Sequence, residues 1–304
     1  MIRAAIVGSA NMDLVVRVPK HPHVGETILG GDLERFAGGK GANQAVASAR
    51  LGAQTTFVGA VGNDEAGSFL TTGLGNEGIN TSHVRLCDRP TGVAVISVGP
   101  DGDNTIVVSP GANECLVVPF APAVQEALAQ AQVVLAQLEV PLDAVAEAAQ
   151  LTTGIFILDP APAPAGPLDR ELLAKIDVLV PNETELSLLA SVPLESLDTP
   201  SAIFQAACSL NLDLVVVTLG ARGAMVVQNN DFCIVDAPSI QPVDTTGAGD
   251  AFRACLAVEL ASGASPIDAV RAAVRVGAAA ALRSGAQPSM PTPKDVLALL
   301  GIGS

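Results

Sequence analysis

The chain contains no tryptophan or tyrosine and only eight phenylalanines among its 304 residues. Charged residues are also scarce, at 15%, and basic ones are outnumbered, because 16 lysines and arginines stand against 31 acidic residues. The resulting net charge of -15 repels the phosphates of nucleic acids and of anionic lipids. We therefore expect neither a nucleic acid nor a membrane surface as a partner.

Long hydrophobic runs are missing as well. No uncharged apolar run reaches the roughly 18 residues that a membrane-spanning helix needs. The N-terminal run at residues 2–7 lacks the length and cleavage site of a signal peptide, and it is predicted to be the first strand. The five cysteines include no C-x-x-C pair, which favours free buried thiols in a reducing cytoplasm. These cysteines are Cys87, Cys115, Cys208, Cys233 and Cys255.

Two other functional classes lack support. The three histidines, His21, His23 and His83, have neither zinc-ligand spacing nor a nucleophile elbow nearby, which excludes a zinc hydrolase or a Ser-His-Asp enzyme. Residues 73–78 match G-x-G-x-x-G, but they end a helical stretch and do not follow a strand. A dinucleotide site needs the opposite context, so a nicotinamide oxidoreductase is disfavoured.

The chain does contain a regular alternation of short β-rich runs with Ala-rich helical stretches. Several of the β-rich runs are continuously apolar, as parallel strands covered on both faces are. This pattern predicts an α/β fold, with a doubly wound, mostly parallel central sheet flanked by helices. Strands are predicted at 2–7, 55–61, 133–138, 155–159, 178–180, 214–219 and 224–227, and helices at 42–51, 67–75, 124–130 and 200–210.

Two segments, 13–36 and 91–108, are predicted to contain strands without intervening helices. Their strands are expected at 14–18, 26–29, 91–98 and 104–108, with an Asp-Gly turn at 100–103. We predict that they form a small antiparallel β-sheet lid on a core made of residues 1–12, 37–90 and 109–304. Such a sheet has an apolar face and open edges, so a homodimer through the lid is expected.

The stretch Asp244-Thr-Thr-Gly-Ala-Gly-Asp250 precedes an apolar, helix-compatible run that ends at Gly263. Glycines at a helix N-terminus leave backbone N–H groups accessible, and the helix dipole adds positive potential, so the loop can bind an anion. An aspartate there suits a general base beside a phosphoryl group in transfer. The alternative is that Asp250 only stabilises the N-terminus of the helix.

Two further polar clusters precede predicted helices. Residues 36–46 place three glycines around Lys40, without the G-x-x-x-x-G-K-[ST] spacing of a P-loop. Residues 179–185 lead from a strand into Asn182 and Glu185, whose hard oxygens suit Mg²⁺. A structural turn explains the first cluster equally well, and an Asn N-cap followed by Glu at the third helical position explains the second.

Five blocks, in order along essentially the whole chain, resemble the ribokinase-like (PfkB) family of carbohydrate kinases. They lie at 38–45 (Gly-Gly-Lys-Gly-Ala-Asn-Gln-Ala), 181–185 (Pro-Asn-Glu-Thr-Glu), 218–223 (Thr-Leu-Gly-Ala-Arg-Gly), 244–250 and 285–289 (Gly-Ala-Gln-Pro-Ser). The resemblance implies ATP-dependent phosphorylation of a sugar. Asn11-Met-Asp13 and Gln137-Leu-Glu139 lie where ribose-contacting residues are expected, so the implied acceptor is the terminal hydroxyl of D-ribose and the product is D-ribose 5-phosphate.

The resemblance also implies roles for individual positions. Asp250 would be the general base, in an anion hole formed by Gly247, Ala248 and Gly249. The sugar would contact Asn11, Asp13, Gly39, Lys40, Gly41, Ala42, Asn43, Glu139 and Asp250. The nucleotide would contact Asn182, Thr218, Leu219, Gly220, Ala221, Arg222, Gly223, Gly249 and Asp250. Glu185 would place Mg²⁺ through water, and K⁺ would be bound by Asp244, Thr246, Ala280, Arg283, Gly285 and Ser289.

Two positions depart from the family pattern. Arg253 stands where Asn is usual, which could alter packing behind the anion hole, and Val274 stands where a polar residue often faces the adenine. Without Trp or Tyr, adenine would be held mainly by aliphatic walls. The alternatives that stay open are a sibling kinase for a deoxysugar, fructose or a nucleoside, and a non-catalytic sugar- or nucleotide-sensing protein on the same fold.

Overall fold

The apolar runs predicted as strands form the middle of a nine-stranded sheet. The computed structural model describes residues 1–100, 102–164, 166, 168–299 and 301. The strand order of the large sheet is β13-β12-β11-β10-β9-β8-β1-β4-β5. Its strands are β1 (Arg3–Val7), β4 (Gln54–Gly62), β5 (Asn80–Cys87), β8 (Val133–Gln137), β9 (Ile155–Asp159), β10 (Val178–Leu179), β11 (Leu214–Thr218), β12 (Ala224–Gln228) and β13 (Asp231–Val235).

The pairings from β5 to β11 are parallel, and β12 and β13 add an antiparallel edge. All seven strands predicted for this sheet are present within one residue of their expected ends. The two that the sequence did not indicate are the edge strands β5 and β13. Both are partly solvent-exposed. β5 mixes polar with apolar residues, and the apolar run of β13 is only four residues long.

Helices cover both faces of the large sheet. They are α1 (Lys40–Arg50), α2 (Glu65–Asn76), α3 (Pro122–Gln130), α4 (Leu142–Leu151), α5 (Arg170–Leu173), α6 (Glu183–Leu189), α7 (Pro200–Ser209), α8 (Ala248–Ala261), α9 (Pro266–Ala280), α10 (Ala286–Ser289) and α11 (Pro293–Leu299). One face packs against α1, α2, α8 and α9, with Phe57 fully buried, and the other against α3 to α7, with Phe156 at its centre. The predicted doubly wound α/β architecture is confirmed. Among the described residues, no helix combines the length and apolarity needed to cross a bilayer.

A second, four-stranded sheet, here called the small sheet, has the order β3-β2-β6-β7. It consists of β2 (Asn11–Arg17), β3 (Leu33–Gly38), β6 (Gly92–Val98) and β7 (Asn104–Ser109). The two outer pairings are antiparallel, whereas β2 and β6 pair in parallel because each enters the small sheet from the large one. The strand predicted at 26–29 is wrong: residues 18–32 are irregular and β2 pairs with β3. The turn predicted at 100–103 includes Asp101, which lies outside the described residues.

The structure joins Cys87, at the end of β5, to Cys115 in a disulfide, with their Cα atoms 6.5 Å apart. The expectation of free thiols is therefore wrong for this pair. The two residues are separated by 28 positions, and only the packing of residues 111–115 beside β5 brings them together. Cys208, Cys233 and Cys255 are free, and of these only Cys255 is buried.

Candidate active site

The two glycine-rich motifs meet where the N-termini of α1 and α8 lie side by side. Asp250, in the first turn of α8, is buried, and both of its carboxylate oxygens accept hydrogen bonds from α1. Asn43 Nδ2 donates to Oδ2 at 2.9 Å and Gln44 Nε2 donates to Oδ1 at 3.0 Å. Residues about two hundred positions apart thus form one polar centre, and both oxygens of the candidate base are held in place.

The loop before Asp250 has the backbone form that an anion site requires. Gly247 is the N-cap of α8 with φ 78°, in the left-handed region that glycine adopts without strain. The N–H of Ala248 donates to the Thr245 carbonyl at 3.2 Å, so this predicted anion-hole donor is engaged inside the loop. Within the part of the chain that the structure describes, the N–H groups of Gly247 and Gly249 have no protein acceptor and can bind an anion.

Several predicted sugar-binding residues gather beside Asp250. Glu139 Oε2 accepts hydrogen bonds from Ser9 Oγ at 2.5 Å and from the backbone N–H of Lys40 at 3.2 Å. The Asn11 side chain accepts from Asn113 Nδ2 at 2.7 Å, and Asn113 Oδ1 accepts from the N–H of Ala10 at 3.0 Å. Asn113 is thus a site residue that no sequence motif indicated.

Gly39, Gly41 and Ala42 bring the N-terminus of α1 against the end of β1. A Cβ on Gly41 would lie 2.6 Å from the carbonyl carbon of Gly8, so a side chain at position 41 would force the two segments apart. The N–H of Ala42 donates to the Ser9 carbonyl at 2.8 Å. Gly39 precedes the helix with φ 89°. These three residues therefore set the position of the α1 N-terminus, which carries Lys40 and Asn43.

Acidic side chains dominate the electrostatics of this centre. Burial raises the pKa of Asp13 and the nearby carboxylates of Glu139 and Asp250 add to the shift, which together bring it to about 7. Burial alone would lower the pKa of Lys40, but the charges of Asp250, Asp159 and Glu139 outweigh it and the pKa is raised. Lys40 is therefore a cation held among carboxylates, and Asp13 exchanges its proton near neutral pH.

A buried ion pair lies behind the candidate base. Asp159, the last residue of β9, is fully buried, and its Oδ1 is 2.8 Å from Nε of Arg253. Burial raises the pKa of Asp159 to about 7 although Arg253 and Lys40 oppose the shift. Arg253 also donates from Nη2 to the Val180 carbonyl at 3.1 Å. The sequence indicated that Arg253 would lie behind the anion hole, but nothing in it indicated its partner.

The Asn182 and Glu185 cluster is a complete capping box at the start of α6. Asn182 Oδ1 accepts from the Glu185 N–H, and Glu185 accepts in return from the Asn182 N–H, both at 2.8 Å. The Nδ2 of Asn182 donates to the other oxygen of Glu185 at 2.9 Å, and Nη2 of Arg253 lies 3.6 Å from Glu185. Because both carboxylate oxygens have protein donors, Glu185 fits a water-mediated contact with Mg²⁺ better than a direct one.

The predicted nucleotide residues line the carboxyl end of β11. Thr218 forms a parallel bridge with Asn182, and the chain then turns through residues 220–222. Gly223 has φ 97°, and a Cβ there would lie 2.0 Å from the Val235 carbonyl oxygen. Arg222 pairs with Glu183 at 2.6 Å. Leu219, Ala221 and Arg222 border a cavity of about 400 Å³.

A neighbouring cavity of about 380 Å³ contains the second position that departed from the family pattern. Val274, Val235 and Ile234 supply aliphatic surface, and the side chains of Arg271 and Arg275 lie at the same cavity. The two cavities share Ile234, Asp236 and Ala237. The lining thus combines aliphatic with charged side chains, and the binding of adenine at this cavity stays a prediction.

The residues predicted to bind K⁺ come from two segments that the fold places together. Asp244 accepts hydrogen bonds from the N–H groups of Thr246 and Gly285, at 2.9 and 2.8 Å. Val243 N–H donates to the carbonyl of Ala281, beside Ala280 at the end of α9. Arg283 pairs with Asp295 at 3.1 Å, and the hydroxyl of Ser289 donates to the Ala286 carbonyl at 2.8 Å. Carbonyl and carboxylate oxygens of this kind suit a K⁺ ion.

Comparison with known proteins agrees with this geometry. The model of the pfkB family carbohydrate kinases matches residues 1–293. The chain belongs to the pfkB family of carbohydrate kinases. It is 37% identical over 301 residues to a ribokinase of Haemophilus influenzae, covering 97% of each chain. It is 34% identical over 292 residues to a deoxyribokinase of Salmonella typhi, covering 95% of each.

Solved structures of this kinase family share the fold throughout. The structure of Arabidopsis thaliana ribokinase complexed with ribose and ATP superimposes with a TM-score of 0.91 at 36% identity, over 100% of both chains. The G-x-G-x-x-G match at residues 73–78 lies at the end of α2 and continues into a turn. A dinucleotide site needs this motif between a strand and the start of a helix. The protein is therefore a carbohydrate kinase that uses ATP, and the oxidoreductase alternative has no structural support.

Proposed function

We propose that this kinase transfers the γ-phosphoryl group of ATP to the terminal hydroxyl of D-ribose, giving D-ribose 5-phosphate. The observation that carries the proposal is the buried Asp250 carboxylate, held by Asn43 and Gln44 beside the Gly247–Gly249 backbone. A base held next to an anion-binding loop is what deprotonation of a hydroxyl and transfer of a phosphoryl group require. The ribokinase relatives, one solved with ribose and ATP, support the same acceptor.

Each group has a distinct task in this proposal. Asp250 accepts the proton of the attacking hydroxyl, while the N–H groups of Gly247 and Gly249 stabilise the negative charge on the transferred phosphoryl group. The Asp13 carboxylate can accept hydrogen bonds from two neighbouring hydroxyls of the sugar. Asn11, Lys40, Asn43 and Glu139 complete the sugar site, on the backbone of Gly39, Gly41 and Ala42. The Ala248 N–H, which is already engaged, serves mainly to shape the loop.

We assign the nucleotide to the cleft between residues 218–223 and α9. Leu219 and Ala221 line this cleft, and Gly220 and Gly223 belong to the same turn. The neighbouring Thr218 pairs with Asn182 and so brings the cleft close to it. Two cations belong to the same proposal. Glu185, with Asn182, would hold Mg²⁺ through water, and the loop segments at 244–246 and 280–289 would hold K⁺. When bound, Mg²⁺ neutralises charge on the ATP phosphates.

The acceptor can be tested by a coupled ADP-release assay over D-ribose, 2-deoxyribose, fructose and adenosine. We expect the largest kcat/KM for D-ribose, and a rise in activity when K⁺ replaces Na⁺. The relationship to a deoxyribokinase makes 2-deoxyribose the second candidate acceptor. A higher kcat/KM for any other member of the panel would overturn the ribose assignment. Binding of ribose without ADP release from ATP would indicate a sugar sensor.

The small sheet supports the proposal that the protein is a homodimer. In this proposal residues 13–36 and 91–108 are the lid, and the remaining residues are the core. Its outer strand β7 is exposed along its whole length, and Val95 and Val107, which pair across β6 and β7 on one face, are each more than half exposed. An apolar sheet face with an open edge is stabilised when a second sheet covers it. The use of ATP as phosphoryl donor supports a cytoplasmic location.

Light scattering tests the dimer. We expect about twice the chain mass of 30.6 kDa for the wild type and a single-chain mass for Val107→Glu, because a charge would be buried in the proposed interface. Leu194→Glu is the matched control, since Leu194 is also exposed but lies between α6 and α7. A wild-type mass of one chain, or a Val107→Glu mass of two, would contradict the lid interface.

A further inference from the structure

Four buried side chains form a continuous polar chain through the centre of the site. Gln137 Nε2 donates to Gln44 Oε1, and Gln44 Nε2 donates in turn to two carboxylates. One is Asp250 Oδ1 at 3.0 Å and the other is Asp159 Oδ2 at 2.8 Å. Gln44, Gln137 and Asp159 have no exposed surface. The sequence motifs assign Asp250 a task but leave Gln44 without one.

The direction of the Gln44 amide is fixed by its neighbours. Its oxygen faces the donor of Gln137, and its two N–H bonds face two carboxylates. A flipped amide would place its oxygen against both carboxylates and lose all three hydrogen bonds. Gln44 therefore has one stable orientation, and in that orientation it fixes one oxygen of Asp250 while Asn43 fixes the other.

The second carboxylate of the chain is anchored by a charge. Oδ1 of Asp159 lies 2.8 Å from Nε of Arg253, and Nη2 of Arg253 donates to the carbonyl of Val180, the residue after β10, at 3.1 Å. A buried carboxylate is stable in one position only where an opposite charge and hydrogen bonds compensate it. The ion pair therefore keeps Asp159 Oδ2 in place as the acceptor for Gln44.

We propose that Gln44 is a positioning residue for phosphoryl transfer, which aims the Asp250 carboxylate at the attacking hydroxyl and is itself held by Gln137 and by the Asp159–Arg253 pair. The inference rests on the proposed function of Asp250 as the base. An unconstrained Asp250 could rotate about its side-chain torsions, and a displacement of about 1 Å at a reacting group costs about a hundredfold in rate. Gln44 acts only through Asp250, so its effect must disappear when Asp250 is not a carboxylate.

The test is a double-mutant cycle with Gln44→Met and Asp250→Asn, assayed with D-ribose and γ-labelled ATP. We expect Gln44→Met to lower kcat about ten- to a hundredfold with the two KM values within about twofold. In the Asp250→Asn background the same change should alter kcat by less than about twofold. Ser48→Ala, one turn further along α1 at an equally buried position, is the matched control and should keep wild-type kcat.

A second variant covers the case in which Gln44→Met does not fold. Gln137→Met removes the donor that fixes the Gln44 amide, and it also removes Oε1 of Gln137, which is buried without a partner among the described residues. It should lower kcat in the same direction by a smaller factor, again only when Asp250 is present. Equal losses in both backgrounds, a rise in KM with unchanged kcat, or wild-type kcat in both variants would overturn the positioning role. An inactive wild type would instead refute the proposed function.

Discussion

Asp250→Asn should lower kcat for ribose phosphorylation by a factor of about 10²–10⁴, because an amide cannot accept the proton of the attacking hydroxyl. The fold and the affinity for ribose should be kept, since Asn has the same size and shape. Asn43 and Gln44 both donate to this carboxylate, so one of them would face an amide N–H₂ and lose its hydrogen bond. That loss costs about 1 kcal/mol of the free energy of unfolding.

The measurements are kcat from ADP release, the ribose Kd from calorimetry and the melting temperature. Asp143→Asn is the matched control, because Asp143 also lies in the first turn of a helix but is exposed on α4. It should leave all three quantities unchanged. Turnover near the wild-type value in Asp250→Asn would remove Asp250 from the role of base, and loss of ribose binding would point to a role in the ground state.

Asp13→Asn should stabilise the fold while it weakens ribose binding. The wild-type carboxylate has its pKa raised from 3.8 to about 7 by burial and by Glu139 and Asp250, so its charged form is unfavourable in the unliganded site. A pKa shift of this size corresponds to about 4 kcal/mol at most. We therefore expect Asp13→Asn to raise the free energy of unfolding by about 2–4 kcal/mol at pH 8.

The stabilisation by Asp13→Asn should depend on pH. Between pH 3.8 and about 7 the folded state binds more protons at Asp13 than the unfolded state, so wild-type stability falls as the pH rises through this window. The stability gain of Asp13→Asn should therefore be absent at pH values below 3.8 and complete above pH 7. Denaturant unfolding of the unliganded variant and wild type at several pH values measures the difference. An equal gain at all pH values would show that the charge of Asp13 is not its cause.

Ribose affinity should change in the opposite direction. The ionised carboxylate can accept two hydrogen bonds from the sugar, whereas the protonated group or an amide accepts fewer. We expect wild-type affinity to increase as the pH rises through about 7, and Asp13→Asn to bind about 10–100-fold more weakly at pH 8 without that dependence. Calorimetric titration with ribose decides this, and unchanged affinity in the variant would exclude Asp13 from the sugar site.

Local sequence patterns predicted the interior of the large sheet but not its edges. Continuous apolar runs identified the interior strands of the large sheet, because a strand buried on both faces tolerates few polar residues. The edge strands β5 and β13 escaped detection, and the strand expected at 26–29 is irregular backbone near Gly25, Gly30 and Gly31. At the edge of a sheet, pairing depends on what lies alongside and less on composition.

The candidate site divides in the same way. The glycine loops around Lys40 and before Asp250 are recognisable in the chain itself, because a backbone that binds an anion at a helix start needs glycine at particular positions. The order of these motifs along the chain, through its resemblance to the PfkB family, therefore predicted the class of enzyme. The approach of α1 to α8, the Asp159–Arg253 pair, the contact of Asn113 with Asn11 and the Cys87–Cys115 disulfide were decided only by the tertiary structure. Each joins residues far apart in the chain, and such contacts depend on how the large sheet and its helices pack, which no local pattern encodes.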